Sequence, residues 1–138
     1  MDQISLVDRR IEDGQKLVQH LLRDNFDVAA AFRLKTSEDD WWHLYVASKL
    51  VDERGPVEAY RALQTSLQQI SGTTLSLTDV KLIGSSNPIT SDVLKMQKRY
   101  SGKAPIPIGG ARFGPIMFEE ALIYPPPPRT EESVPSKV

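Results

Sequence analysis

Five cations gather in one stretch of the chain: Lys95, Lys98 and Arg99 late in a helical pattern, Lys103 just beyond it, and Arg112 within Gly109-Gly110-Ala111-Arg112-Phe113-Gly114. Basic side chains beside a glycine loop, whose backbone N–H groups can approach a ligand closely, are what recognition of nucleic acid or another phosphate ligand requires. The loop lacks the Lys-Ser/Thr ending of a P-loop and the three-glycine spacing of a dinucleotide fingerprint, so no cofactor is assigned to it. A ligand-free account also exists, because cations in a last helical turn offset the helix dipole by about 0.3–1 kcal/mol each.

A second constellation alternates aromatic and basic residues. Arg33, Lys35, Trp41, His43, Tyr45 and Lys49 surround the small residues Ala29, Ala31 and Ala47. On an open sheet face such residues stack bases and hold a backbone electrostatically, or present a surface to a protein partner. The aromatic and glycine submotif of the RNA-recognition module is absent. A C-terminal segment or second subunit lying over this face would instead make Trp41 and Tyr45 packing or dimer residues. The candidate contacts are Arg33, Trp41, His43 and Tyr45.

Catalytic combinations are sparse. His20 and His43 are the only histidines, and neither has a neighbour at metal-ligand spacing. Asp79-Val80-Lys81 fits the acid-x-lysine tripeptide of metal-dependent nucleases, in which a carboxylate binds Mg²⁺ and the lysine steadies a water. It comes without an upstream acidic partner, so a phosphoesterase is the weakest of three readings. Glu119 and Glu120, adjacent on a strand, point to opposite faces and do not form a paired-carboxylate site. There is no cysteine, which excludes a disulfide framework, a thiolate nucleophile and a Cys-ligated zinc. No metal or catalytic residue is assigned, and the enzyme question leans towards no.

Elements must position these groups. The spacing of Ile4, Val7, Ile11, Val18 and Leu22 predicts an amphipathic helix with Asn25 as its stop. Gly14 falls on its apolar stripe, at a cost of about 1 kcal/mol against Ala, and so predicts a close neighbour from a sheet. Period-two patterning over 26–36, a polar turn at 37–40 and an aromatic, β-branched run over 41–51 predict a hairpin. If Phe32 and Leu34 share a face with Leu44 and Val46, paired residue numbers sum to 78. Trp42, Leu44, Val46, Ser48 and Leu50 then face the helices. A sum of 77 would instead set Leu34 beside His43 and Phe32 beside Tyr45.

Gly55-Pro56 opens a second helix that Gly72 ends, Asp79–Gly84 reads as a strand reached by a crossover, and Asn87-Pro88 starts a third helix ending at Ser101-Gly102. Residues 103–114 read as a Pro/Gly-rich loop and 116–124 as a strand. Four consecutive prolines from Pro125 begin a polar end, 125–138, that reads as a disordered tail outside the 1–124 domain.

The whole is an α+β domain of order α-β-β-α-β-α-β, a small mixed sheet with helices mainly on one face. Its 138 residues suit one domain that folds without metal or disulfide. The net charge of −1 conceals −3 over 1–83, +4 over 84–114 and −2 over 115–138. No secretory signal or membrane-length apolar run is present, which makes the cytoplasm the expected location. The expected function is a non-enzymatic interaction domain that binds a protein partner or forms a homodimer through its aromatic sheet face. Nucleic-acid or phosphate binding through 95–112 is the alternative.

Overall fold

The computed structural model describes residues 6–36, 42–73, 75–100 and 105–125, with the side chains of 6–8 excepted. The expected turn at 37–40 and tail at 126–138, together with Trp41 and Lys103, lie outside the described residues.

The N-terminal periodicity produces helix α1, Leu6–Arg23, and Asn25 beyond it adopts φ 64°, the left-handed geometry of a helix stop. The hairpin follows as β1, Ala30–Thr36, and β2, Trp42–Ser48. β2 ends three residues before the patterned run does, because the Ser48 hydroxyl accepts the Leu50 N–H at 3.1 Å and caps a short helix α2, Lys49–Arg54. Gly55-Pro56 opens α3, Pro56–Gln68. Strand β3, Val80–Gly84, lies parallel to β2, as a crossover through a helix requires.

Asn87 caps α4, Pro88–Arg99, by accepting the Ile89 N–H at 2.8 Å. Two strands close the domain: β4, Ile106–Phe113, and β5, Ile116–Ile123, joined by a turn in which Gly114 takes φ 55°. The result is the expected α+β fold on one mixed sheet of order β3-β2-β1-β5-β4.

Two expectations are corrected. Residues 106–113 form a strand instead of a loop, because β5 supplies a full antiparallel partner from Ile106↔Ile123 to Phe113↔Ile116. Their apolar alternation is diluted by Pro107, Gly109 and Gly110, so pairing makes this strand and intrinsic pattern does not.

The hairpin register is the other correction. Phe32 pairs with Tyr45 and Leu34 with His43, a sum of 77. The sum of 78 rested on one buried and one open face, whereas this sheet is buried on both. Leu44, Val46 and Ala31 face α1 and α3 with Leu17, Leu21, Leu63, Val80 and Leu82. Phe32, Leu34, Tyr45 and Ala47 face α4 with Ile89, Val93, Phe113 and Ile123. β2 therefore keeps the faces expected of it and β1 exchanges them, the consequence of a one-residue change in pairing.

One local irregularity re-aims side chains. The pairing of β1 with β5 shifts between Lys35↔Glu120 and Thr36↔Phe118. Ala121 and Ile123 share the α4 face with Phe118, which strict alternation would put on the other face. β4 changes phase with it, from Ile106 and Ile108 to Phe113, across Gly109-Gly110. The shift delivers Phe113 to Phe32, edge-on at 6.2 Å between centroids.

Candidate functional site

The aromatic face expected on the hairpin is divided by the observed register. Tyr45 is buried under α4, stacked on Phe32 with centroids 5.2 Å apart and planes 9° apart, and Lys81 sits 5.9 Å above its ring. His43 lies on that same face, half-buried, and is itself engaged in contacts. Arg33 is on the opposite face and only 3% exposed. These residues do not form one surface.

The basic segment is dispersed too. Lys95, Lys98 and Arg99 are exposed on α4, whose buried residues are Ile89, Thr90, Val93 and Gln97. Arg112 belongs to the other end of that helix, because the adjacent turn is held there: Gly114 N–H donates to Asp92 Oδ2 at 2.7 Å. Arg99 lies seven positions along the helix from Asp92, a rise of roughly 10 Å. Phe113 points to the α4 side, so alternation sends Arg112 from the other face.

Asp79 has a local task. Its carboxylate accepts from Ser76 N–H at 2.9 Å and Ser76 Oγ at 3.1 Å, a capping box before β3. Among the described residues, no group of three or more His, Asp and Glu could hold a metal ion. His20 connects α1 to α3 through Gln69 Oε1 at 2.8 Å and lies 3.4 Å from Asp24 Oδ2.

What the fold does assemble is a groove of about 340 Å³ on the α1 side of the sheet. Arg10 and Ile11 of α1 form one wall, and Trp42 of β2 with Arg33 of β1 forms one end. Glu120, Ala121 and Leu122 of β5 and Pro107, Ile108 and Gly109 of β4 complete the lining. Strand pairing aligns these positions: Arg33 opposes Leu122, Lys35 lies between Trp42 and Glu120, and Gly109 opposes Glu120. The lining is mostly apolar and contains no Ser, Thr, Cys, His or Lys, its charged groups being Arg10, Arg33 and Glu120. Arg10 and Leu122 were not singled out by spacing, and Trp42 and Glu120 were read only as strand positions, since the four come from three separated parts of the chain.

A buried network sets the groove's inner end. Arg33 Nη1 donates to the Arg10 carbonyl at 3.1 Å, and the guanidinium also bonds the Tyr124 hydroxyl. Tyr124 Oη donates in turn to the Ile11 carbonyl at 3.0 Å. Burial pushes the Tyr124 phenol above its ordinary 10.0, opposed by the Arg33 charge and hydrogen bond, with buried Asp13 adding to the rise. Gly14 makes this possible, because a Cβ there would overlap the Tyr124 hydroxyl.

A second polar cluster joins α2 to the β3–α4 loop. Asp52 Oδ2 accepts Ser85 N–H at 2.7 Å, Ser85 Oγ at 2.8 Å and Ser86 N–H at 3.3 Å, while Oδ1 accepts Ser86 Oγ at 2.7 Å. The Ser86 and Ser85 hydroxyls, and then their backbone N–H groups, hold its carboxyl below the usual 3.8. A lowered folded-state pKa contributes stability that is present above 3.8 and lost as pH falls through the folded value. Thermal melts of Asp52→Asn are therefore expected to vary less with pH than the wild type between about pH 5 and 2. Parallel curves for the two proteins would contradict this role.

Among the described residues no helix is long and apolar enough to cross a membrane. Comparison with protein-family models, curated proteins and solved structures finds no match to this chain.

Proposed function

We propose that this chain is a non-enzymatic interaction domain that self-associates by adding the β4 edge of one copy to the β4 edge of another. The observation that carries this reading is the outer edge of β4: Ile106–Phe113 is the last strand of the sheet, and among the described residues no strand pairs with its outer side. An unpaired edge is a template for strand addition, and natural proteins blunt it with lysines, prolines or short length. β4 has eight residues, one proline and one charge.

Antiparallel pairing of two copies about Gly109-Gly110 sets Ile106 against Phe113, Pro107 against Arg112 and Ile108 against Ala111. No like charges meet, as an isologous two-fold contact requires. The hairpin residues expected for this role divide between the two faces, Tyr45 buried under α4 and Arg33 under α1, so the contact surface moves to the sheet edge.

Light scattering coupled to size exclusion is expected to show a mass rising with concentration towards twice the 15.5 kDa monomer. Ala111 is exposed, and Ala111→Lys places a charge on the seam without touching the core. It is expected to weaken association by about tenfold or more while leaving Tm unchanged. A wild-type mass that stays monomeric at every concentration, or an Ala111→Lys variant that associates as well as wild type, would refute the proposal.

A further inference from the structure

Beyond self-association, we infer that the outward face of α4 binds single-stranded nucleic acid, its cations holding phosphates and Tyr100 stacking a base. Lys95, Lys98 and Arg99 are exposed, and their spacings of three and four bring them together on the face opposite Ile89, Val93 and Gln97. The stability of the helix does not call for this arrangement. Lys98 and Arg99 lie in the last turn, where they offset the helix dipole, but Lys95 lies before it. It repels both neighbours, at a cost of about 0.2–0.5 kcal/mol for each like-charged pair. Among the described residues none of the three has an ion-pair partner. Asp92, the one acid of the helix, accepts the Gly114 N–H at 2.7 Å.

A bound polyanion relieves this repulsion, and the surroundings decide which polyanion fits. Tyr100 follows Arg99 directly. Its N–H donates to the Met96 carbonyl at 3.0 Å, which fixes the backbone, while the residue stays 49% exposed. An exposed aromatic ring beside cations is the combination that holds single strands, with bases stacked and phosphates neutralised.

An acidic protein surface would engage the cations and leave the ring without a role. A membrane surface would need an apolar stripe, and α4 exposes only Leu94, at 37%, besides the tyrosine. In a duplex the bases already stack on one another, so the ring adds nothing there. Stacking and phosphate contacts read no base edges, so the binding is tolerant of sequence. Arg112, at the other end of α4, takes no part.

The test is fluorescence anisotropy of the full chain with labelled oligo(dT) of about 20 nucleotides, a duplex of the same length and labelled poly-glutamate. At low salt oligo(dT) is expected to bind about fivefold or more tighter than either of the others. Three phosphate contacts give a slope of roughly −2 in log K against log[salt]. Lys95→Gln/Lys98→Gln is expected to weaken oligo(dT) binding by about tenfold or more and to bring the slope to roughly −0.7. Tyr100→Ala is expected to weaken it by about fivefold or more with the slope unchanged. All three positions are exposed, so thermal melts of the variants are expected to match the wild type. No binding at low salt, duplex or poly-glutamate bound as tightly as oligo(dT), or wild-type affinity in either variant would overturn the inference.

Discussion

Arg33→Ala is expected to lower the free energy of unfolding by about 3–5 kcal/mol, through loss of the side chain's hydrogen bonds and of its packing. The guanidinium is 3% exposed and donates to the Arg10 carbonyl and the Tyr124 hydroxyl. Removing it leaves those groups in a dry place where each unsatisfied partner costs about 1–3 kcal/mol. It also removes the aliphatic stem between Leu44 and Leu122, its cross-strand neighbours.

Arg33→Lys is expected to recover less than half of the loss, because an ammonium cannot reach two acceptors in the fixed geometry of a planar fork. Urea denaturation checks both variants. A loss below about 1 kcal/mol in Arg33→Ala would be the behaviour of an ordinary surface cation and would contradict the buried network.

Gly14→Ala is expected to destabilise by about 2–4 kcal/mol, where helix propensity alone predicts a gain of about 1 kcal/mol. At Gly14 the new Cβ would overlap the phenol oxygen of Tyr124, the end of a rigid ring that is pinned to the Ile11 carbonyl and to Arg33. The ring cannot give way while keeping those bonds, so α1 must lift or the tyrosine must leave. For a chain of this size the melting temperature should fall by roughly 3–5 °C per kcal/mol.

Tyr124→Phe removes the obstructing oxygen. The double variant Gly14→Ala/Tyr124→Phe is expected to lose less than the sum of the two single changes, as touching residues do. A stabilised Gly14→Ala, or strict additivity in the cycle, would show that the two residues do not oppose each other.

Both results bear on how far local reasoning reaches. Gly14 on an apolar stripe was enough to predict a close neighbour, because a helix tolerates that cost only where backbone approach requires it. That the neighbour is Tyr124, just past the last strand, depends on β5 lying beside β1. The helix starts at Gly55-Pro56 and Asn87-Pro88 were legible because caps and N-terminal prolines act within a few residues. Strand β4 was not, since its stability comes from β5 and not from its own Pro- and Gly-diluted pattern.

The candidate site shows the same division. Arg33 lies between Phe32 and Leu34, and alternation alone marks it as facing away from them. Alternation does not say whether that direction is water or a second helical layer. Assigned to water, it implied a binding face shared with His43 and Tyr45. In the fold it points under α1, while Tyr45 lies beneath α4 and His43 is half-buried on that same face.

The sequence by itself determined the α+β class, the three longer helices, the hairpin and the crossover, because each of these is set by patterns within about ten to twenty residues, whereas the short α2 was hidden in the strand-like run over 41–51. The tertiary structure decided the pairing register, the faces of β1, the open edge of β4 and the groove. Each depends on which distant segments lie side by side, and a sheet buried on both faces leaves no polar side from which to read the register.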